Sequence, residues 1–227
     1  RKYDEMKYKL HTFYNEDCLE AMKEIPVNYF DLAIVDPPYF KGVAKHNFYG
    51  NKVSTTNIKR LSSSSEHWDT GIPTEEYYIE LCRVSKNQII WGCNYYEFIQ
   101  PVGRIVWDKK NDSSTFSSCE LASISLIDSV KVFRYKWNGM LQEDMKNKEI
   151  RIHPTQKPVA LYAWLLNNYA EKGDKILDTH VGSASSLIAC HDLGFDYIGF
   201  EIDQDYYNQA TKRLEQHKSQ INLFVDF

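Results

Sequence analysis

Apolar positions along the chain fall into short runs that alternate with patterns of helical spacing. The run Phe30–Val35 ("FDLAIV") is almost continuously apolar, which is typical of a central strand in a parallel sheet. "QIIWG" and "GRIVWD" predict two more buried strands, and "ELASISLI" and "KVFRYKW" predict two strands near one turn. From Pro158 onward the chain alternates between a helix "VALYAWLLNNYA", a strand "DKILD", a helix "SASSLIACHDLG", a strand "FDYIGFEI" and a final helix "DQDYYNQATKRLEQHK".

The first part of the chain adds a short strand in "LHTFYNED" and a short helix in "CLEAMKEI". "TEEYYIELCRVSK" predicts a longer helix, because Thr74 is a suitable N-cap and apolar residues recur at spacings of four and three. Gly194 is the predicted end of one helix and Asp203 the predicted N-cap of the last one. Alternating strands and helices predict an α/β fold with a mostly parallel central sheet, an antiparallel edge hairpin and helices on both faces.

Two stretches show no periodicity. Residues 41–72 are polar and Ser-rich, with five lysine or arginine residues against two acids and with His46, Phe48, Tyr49 and Trp68 interspersed. Residues 138–150 form a second polar connection. Loops of this length are usually functional or disordered, so both segments are candidates for a local contact with a polyanion or for flexible connections.

Composition narrows the class of protein. The chain has 227 residues, a length that suits one large domain, and its formal net charge is −4, so any polyanion site is local. The five cysteines form no CxxC pair, which argues against a disulfide framework or a zinc site and predicts a reducing cytoplasm and no metal. No apolar run reaches the roughly 18 residues of a membrane span. We therefore expect a protein of the cytoplasm with no membrane partner.

The first candidate site is Asp36-Pro37-Pro38-Tyr39, which follows the predicted strand 30–35 directly. Ligands of open α/β sheets bind at the carboxyl ends of strands. The prolines stiffen the loop and leave carbonyl acceptors, the Asp36 carboxylate adds another acceptor, and Tyr39 offers a flat ring. This set suits a planar group that donates N–H bonds, such as a nucleobase amine. A rigid proline turn with a packed tyrosine explains the tetrapeptide equally well.

The second candidate site is the stretch "DKILDTHVGSASSLIAC" (174–190), a strand, a turn and a helix. Gly182 and Ser183 permit close approach of a ligand to the backbone. Glu201 lies 23 residues past Asp178, at the end of the next strand, which suits a ribose diol. There is no GxGxxG or GKT/GKS motif, so a dinucleotide or triphosphate is disfavoured. An ordinary strand-to-helix turn is the alternative, and Glu201 at this spacing favours a nucleoside site.

The third candidate site is "HPTQKP" (153–158), just before a predicted helix. Lys157 and the hydroxyl of Thr155 at a helix N-terminus can hold a carboxylate. An ordinary capped helix start fits the same residues equally well.

Together these stretches resemble the amino-methylating DNA methyltransferases, which use S-adenosylmethionine (SAM) to methylate adenine N6 or cytosine N4. "DPPY" at Asp36 matches the catalytic (D/N/S)PP(Y/F/W) motif, and "DTHVGSAS" from Asp178 is similar to the SAM loop D-P-F-x-G-S-G-T. "HPTQKP" and "FEID" resemble the segment before the loop's helix and the ribose-binding strand end. "YNEDCLEAM" (14–22) resembles the N-terminal stretch in which an acid, here Asp17, borders the adenine of SAM.

The order of the motifs specifies the class. The catalytic motif precedes the SAM loop by about 140 residues, which resembles the permuted β class. The resemblance implies a Rossmann-like SAM-dependent methyltransferase fold in a single domain 1–227, with a catalytic half 10–137 and a SAM-binding half 153–224. It gives catalytic roles to Asp36, Pro37, Pro38 and Tyr39. It gives SAM contacts to Asp17, Cys18, Asp36, Thr155, Gln156, Lys157, Asp178, His180, Gly182, Ser183, Ser185, Glu201 and Asp203.

The SAM loop departs from the family pattern at two places. Its second glycine is Ala184, which is unfavourable if the position requires a positive φ, and SAM affinity is then modest. The usual Pro-Phe is Thr179-His180. His180 either contacts the methionine part of SAM or fills space, and the second role is preferred.

The resemblance also implies a mechanism. The Asp36 carboxylate and the Pro37 carbonyl accept the two N–H bonds of the target amine, so that its lone pair faces the methyl group of SAM. Tyr39 stacks on a base that has been flipped out of duplex DNA. The segments 41–72 and 138–150 are the expected DNA-contacting or flexible loops. A homodimer and a cognate restriction enzyme are further expected partners, in a bacterial, archaeal or phage-encoded system.

Three alternatives stay open at this point. Asp-Pro-Pro-Tyr favours adenine, but N4-cytosine methylation has the same chemistry. Methylation of RNA or of a protein glutamine is a second alternative, although that branch usually has Asn in place of Asp36. A catalytically weak nucleic-acid-binding relative is a third, because of Ala184. Cytosine-C5 methylation is disfavoured, since no Pro-Cys motif occurs.

Overall fold

The computed structural model describes residues 6–38, 73–98, 100–112, 117–138 and 141–222. Its strands are β1 Thr12–Tyr14, β2 Phe30–Val35, β3 Ser85–Trp91, β4 Gly103–Asp108, β5 Cys119–Ile124, β6 Val130–Arg134, β7 Trp137–Asn138, β8 Leu141–Gln142, β9 Lys175–Asp178 and β10 Asp196–Phe200. Its α-helices are α1 Cys18–Glu24, α2 Glu75–Val84, α3 Val159–Tyr169, α4 Ser185–Leu193 and α5 Gln204–Asn222. Tyr39 and the loop 41–72 lie outside the described residues.

The described residues form an eight-stranded sheet in the order β1-β10-β9-β2-β3-β5-β4-β6. All neighbours pair in parallel except at β5, which runs antiparallel to both β3 and β4. The predicted fold class, a mostly parallel sheet with an antiparallel hairpin, is therefore confirmed. The two strands predicted near one turn, β5 and β6, both exist, but β4 lies between them and the hairpin pairs β4 with β5.

Helices cover both faces of this sheet, as predicted. Successive residues of β2 point to opposite faces, and accordingly Leu32 and Ile34 belong to one apolar cluster while Ala33 and Val35 belong to the other. The first cluster takes in the buried faces of α3, α4 and α5, and the second those of α1 and α2. The nearly continuous apolar pattern of the strand is thus explained by burial on two sides.

Helix ends follow the capping chemistry of the sequence. The Thr74 side chain accepts a hydrogen bond from the Tyr77 backbone N–H at the start of α2, and Asp203 Oδ1 accepts from the backbone N–H groups of 205 and 206 at the start of α5. Gly194 ends α4 with φ of 74°, a left-handed conformation that glycine adopts readily. These three predicted caps are confirmed. None of the helices in the described part of the chain has the length and apolar composition needed to cross a membrane.

The predicted polar connection 138–150 is partly regular. β7 and β8 pair as a two-stranded antiparallel ribbon, which includes the first residue of that segment and Leu141–Gln142. Gln142 is buried and holds the chain through hydrogen bonds in both directions with the backbone of Glu149. Glu143 and Glu149 accept hydrogen bonds from the backbone N–H groups of Lys136 and Val159, which tie this segment to the rest of the chain.

Candidate active site

Four acidic residues follow or end neighbouring strands at one edge of the sheet. Asp17 follows β1, Glu201 follows β10, Asp178 ends β9 and Asp36 follows β2. These four strands are parallel and adjacent, so their carboxyl ends meet at the same edge. The order reverses between β9 and β2, and the crevice at such a point is where ligands of open α/β sheets bind. The structure brings the first and second predicted sites together.

Asp36 is held by a lysine from the third predicted site. Lys157 Nζ donates to Asp36 Oδ2 at 2.5 Å and lies 2.9 Å from Glu120 Oε2. Glu120 Oε1 in turn lies 2.5 Å from Lys109 Nζ. The Lys157 side chain is 1% exposed and the Asp36 side chain 14%. The first and third sites are therefore one cluster, in which Lys157 contacts the predicted catalytic acid.

The other oxygen of this acid is a buried acceptor. Among the described residues no group hydrogen-bonds to Asp36 Oδ1. An acceptor that is buried without a donor costs free energy, so such an atom indicates a place where a ligand donor completes the bond. The next residue differs from expectation: the Pro37 carbonyl, expected to be free, accepts from Tyr96 Oη at 3.0 Å. A carbonyl oxygen has two lone pairs, so one acceptor position of Pro37 remains.

Burial and neighbouring charges together determine the ionisation of the residues in this cluster. Burial raises the pKa of Asp36 above its ordinary range, and Lys157 offsets part of that increase. Burial also opposes ionisation of Glu120, but Lys157 and Lys109 outweigh it and lower the pKa of Glu120 to about 2. Burial disfavours the charged form of Lys157, yet the two carboxylates raise its pKa above the ordinary value. The cluster therefore holds an ammonium group between two carboxylates.

The turn after β9 is built around Asp178. Asp178 Oδ1 accepts from the His180 backbone N–H at 3.0 Å, and Oδ2 accepts from the Ser186 hydroxyl. Burial raises the pKa of Asp178 to about 7, and the nearby Asp36 and Glu201 carboxylates add to the increase. Asp178 therefore organises the loop through hydrogen bonds, and its charge is sensitive to pH near neutrality.

His180 belongs to a small hydrogen-bonded group. Its Nδ1 lies 2.9 Å from Thr179 Oγ1, which lies 2.6 Å from Tyr77 Oη, and the rings of His180 and Tyr77 meet edge to face at 5.5 Å. Burial lowers the pKa of His180 to about 4, so the imidazole is neutral at physiological pH. The residue links the loop to helix α2, a contact that the sequence does not reveal.

Glu201 joins the end of β10 to the loop. Its Oε2 accepts from the Gly182 backbone N–H at 2.9 Å and its Oε1 accepts from the Asp203 N–H at 2.9 Å. Gly182 has φ of 55°. The side chain of Asn15 donates to the Glu201 carbonyl at 2.7 Å and so fixes the strand end from β1. Each carboxylate oxygen keeps a further lone pair for a ligand hydroxyl.

Several other predicted cofactor residues are engaged within the chain. The Gln156 amide accepts from Ile152 N and donates to the Ile150 carbonyl, and Thr155 is exposed with its hydroxyl 3.1 Å from His153 Nδ1. Gln156 thus holds its own segment in place, and the cofactor contact expected of it stays a prediction.

The remaining predicted cofactor residues have local roles. Arg213, in the middle of α5, donates to the Ser183 carbonyl and to Ser185 Oγ, so this helix holds the loop in place. Asp17 caps α1 through Oδ1, and Cys18, whose pKa burial raises to about 12, begins that helix. Asp203 caps α5 as described above.

Ala184 occupies the conformation that its family glycine suggests. Its φ is 64° and ψ 18°, in the left-handed region, and the residue is fully buried at the start of α4. An L-residue in this region costs roughly 1–2 kcal/mol, a penalty that glycine lacks. The sequence-based concern about Ala184 is therefore confirmed as a backbone strain.

Replacing Ala184 with glycine should relieve that strain. Ala189, within the same helix and also fully buried, is a matched control, since both changes delete one buried methyl group and add backbone freedom to the unfolded chain. We expect the free energy of unfolding of Ala184→Gly to exceed that of Ala189→Gly by about 1–2 kcal/mol. Urea denaturation of both variants measures the difference. Equal stabilities would show that position 184 carries no strain.

Comparison with known proteins agrees with this site. Residues 126–212 match a family model described as DNA methylase. The chain is 26% identical to the type II methyltransferase M.HinfI of Haemophilus influenzae, over 94% of this chain and 70% of that protein. It is also 26% identical to the type II methyltransferase M.HpaI of Haemophilus parainfluenzae, over 92% and 74%. The chain is therefore similar to DNA methylases and to type II methyltransferases.

Solved structures of DNA methyltransferases have the same fold as this chain. The M1.HpyAVI–SAM complex matches with a TM-score of 0.55 at 19% identity, over 89% of this chain and 98% of that one. The PvuII cytosine-N4-specific DNA methyltransferase matches with a TM-score of 0.56 at 12% identity, over 95% and 92%. The Rossmann-like methyltransferase fold expected from the sequence is confirmed.

The candidate site contains residues that the sequence did not single out: Glu120, Lys109, Tyr96 and Arg213. Glu120 lies at the start of β5, which runs opposite to its neighbours, so its first residues reach the edge where other strands end. The sequence signal that could have identified Glu120 is a charged residue at the start of an otherwise buried strand. The family match 126–212 includes Lys157 and the loop after β9 but not Asp36, so the catalytic role of Asp36 stays a prediction.

Proposed function

We propose that this chain is a SAM-dependent DNA methyltransferase that transfers a methyl group to the N6 amine of a flipped-out adenine. The observation that carries the proposal is Asp36 Oδ1, a buried acceptor to which no group in the described part of the chain donates, at the sheet edge that also bears the loop after β9. An exocyclic amine supplies the N–H that this oxygen lacks. The DNA methylase match and the type II methyltransferase relatives support DNA as the substrate.

The carboxylates at the sheet edge fit SAM. Glu201 offers acceptors to a ribose diol, and Asp17 offers one to an adenine amine. The acidic edge suits a ligand with an ammonium and a sulfonium group. The same carboxylates disfavour phosphates, consistent with the missing phosphate-binding motifs. Structural neighbours include complexes with SAM. When bound, SAM supplies a methyl group made electrophilic by the positive sulfur.

The residues of the chain act mainly by orientation and electrostatics. Asp36 Oδ1 and the remaining lone pair of the Pro37 carbonyl accept the two N–H bonds of the amine, which favours a pyramidal nitrogen. That nitrogen forms the new N–C bond as the S–C bond breaks, with the sulfur keeping the bonding electrons. The nitrogen then loses one proton, and Asp36 is the acceptor nearest to it. Tyr39, outside the described residues, is the proposed stacking partner of the base.

A methyl-transfer panel tests this function. The protein is incubated with labelled SAM and, separately, with duplex DNA, RNA of the same sequences, and a protein extract. We expect label in duplex DNA. Label confined to RNA or protein would instead favour the alternative branch, and absence of both transfer and SAM binding would favour a catalytically weak relative.

Glu201→Gln is expected to weaken SAM binding by about tenfold to a hundredfold, because a charged acceptor is lost and the amide NH₂ faces a backbone donor. Isothermal titration calorimetry measures the affinity. Glu215→Gln is the control and should bind SAM like the wild type. Glu215 lies at an exposed position of α5 and pairs with Lys218. Unchanged affinity of Glu201→Gln would remove this residue from the cofactor site.

The remaining assignments complete the proposal. The loop 41–72, rich in lysine and aromatic residues, contacts phosphates and fills the space beside the flipped base, while 138–150 is a second contact segment. The catalytic half is 10–137 and the SAM-binding half 153–224 of one domain. A homodimer and a partner restriction enzyme in the cytoplasm follow from the type II relatives as further proposals. The similar fold of the cytosine-N4-specific PvuII DNA methyltransferase keeps N4-methylcytosine as the second candidate product.

A further inference from the structure

Beside the proposed catalytic carboxylate the chain places a row of alternating charges. Asp36, Lys157, Glu120 and Lys109 follow one another at N–O distances of 2.5, 2.9 and 2.5 Å. The side chains are 14%, 1%, 21% and 14% exposed. Burying such a row is costly, because several ions lose their hydration. Apolar residues could fill the same space without that cost, so the arrangement calls for a functional reason.

The residues of this row are far apart in the sequence, so they meet only when the chain folds. Asp36 comes from the end of β2, Lys157 from the residues just before α3, and Glu120 from the start of the reversed strand β5. The Lys157 ammonium also lies 5.4 Å from the centre of the Trp91 ring on β3. Lys157 is therefore fixed from three sides, and its direction toward Asp36 Oδ2 does not depend on a flexible surface side chain.

Other groups also act on the Asp36 carboxylate. Besides Lys157, Glu120 and Lys109, the Asp178 carboxylate and the Tyr162 phenol interact with it electrostatically. Asp178 disfavours the ionised form of Asp36, and so does Glu120. Lys157 is in direct contact with this carboxylate, and its charge opposes the effect of burial on the Asp36 pKa.

We propose that Lys157, held by Glu120, is a positioning residue for methyl transfer, fixing Asp36 Oδ2 and keeping the carboxylate ionised so that Oδ1 remains an acceptor. The inference rests on the proposed function and deepens it. A protonated Asp36 would present an O–H donor that competes with the amine's own N–H groups. Lys157 thereby determines the lowest pH at which the site can accept an amine. The carboxylates that Lys157 contacts in the structure are those of Asp36 and Glu120, and the SAM contact expected of it stays a prediction.

Substitutions of Lys157 and of its partner Glu120 change the charge near Asp36 in opposite directions, and together they test this role. Removing a direct cation raises the pKa of a carboxylate by about 1–3 units, and removing a nearby anion lowers it. In Lys157→Met the acid limb of the kcat/KM profile should therefore move to higher pH by about 1–3 units. In Glu120→Gln, whose amide oxygen still accepts from Lys157, the limb should move to lower pH. Lys157→Arg should keep the limb near that of the wild type even if kcat falls.

A second readout needs no substrate. In SAM-free protein labelled with ¹³C-aspartate, the Asp36 carboxyl carbon should titrate at higher pH in Lys157→Met and at lower pH in Glu120→Gln. Lys86→Met, which removes an ion pair to Asp31 of equal length on the exposed surface, is the matched control and should leave the Asp36 titration and the pH profile unmoved.

The outcomes distinguish failure of the positioning role of Lys157 from failure of the proposed function. If Lys157→Met fails to fold, Glu120→Gln and Lys157→Arg still decide the matter. A limb that stays in place in Glu120→Gln, or a Lys157→Met enzyme with an unmoved limb, overturns the inference while the wild-type enzyme remains active. A wild-type protein that transfers no methyl group to nucleic acid refutes the proposed function, and the positioning role is refuted with it.

Discussion

Replacing Asp36 with alanine is expected to lower the rate of methyl transfer to DNA by about 10²–10³-fold or more, since the site loses the acceptor that orients the amine in the transition state. SAM binding should change by less than about threefold, because the SAM contacts proposed for Asp17 and Glu201 lie on other strands. The two effects together distinguish a catalytic group from a cofactor ligand. Single-turnover transfer and calorimetry measure them separately.

A matched control for this variant lies on the same strand. Asp31 of β2 is bonded to Lys86 and to the backbone N–H of Lys175, away from the carboxyl edge. Asp31→Ala removes a comparable carboxylate and should leave the transfer rate close to that of the wild type. Near-normal transfer by Asp36→Ala would show that another group accepts the amine.

Replacing Lys157 with methionine should destabilise the folded protein by about 3–5 kcal/mol, because it leaves Asp36 and Glu120 buried without their shared cation. The effect depends on pH with a definite sign. In this variant the pKa of Asp36, which burial already raises, should rise further, and the pKa of Glu120 should rise as well, so the folded state gains protons and the variant loses less stability relative to the wild type as pH falls from 8 toward 5. In the wild type the Glu120 pKa of about 2 lies below its ordinary value, so its contribution stays constant over that range and is lost only in stronger acid.

Urea denaturation at pH 8 and pH 5 measures the Lys157 effect. The gap between variant and wild type should be larger at pH 8. Lys86→Met breaks an exposed pair and should cost less than about 1 kcal/mol, with no such pH dependence. The double variant Lys157→Met/Glu120→Gln should recover part of the lost stability. A Lys157→Met protein as stable as the control at both pH values would mean that the buried charges are hydrated.

The succession of strands and helices could be predicted because it depends on local patterns. The run Phe30–Val35 became a strand of the same bounds, and the caps Thr74 and Asp203 begin the helices expected of them. Ala184 adopts the positive φ that its alignment with a family glycine suggested. These features require only a few neighbouring residues, whose preferences are visible in the sequence.

The charged row could not be predicted because its members meet only through the sheet order. β4 lies between β5 and β6, and no local pattern shows this arrangement. The reversed direction of β5 brings Glu120 to the carboxyl edge, where Lys157 meets it and Asp36. From the sequence Lys157 was equally a capping or carboxylate-binding residue. Tyr96 was missed for the same reason, since its bond to the Pro37 carbonyl joins residues 59 positions apart.

The central claim is that Asp36 accepts the amine of a base in duplex DNA while SAM donates the methyl group. Nucleoside mass spectrometry of duplex DNA treated with the protein and SAM tests it most directly, with the Asp36→Ala variant in parallel. The account predicts N6-methyldeoxyadenosine from the wild-type chain and none from the variant. Detection of N4-methyldeoxycytidine would identify cytosine as the target base with the same methyl-transfer chemistry. Equal amounts of methylated nucleoside from both proteins would contradict the account.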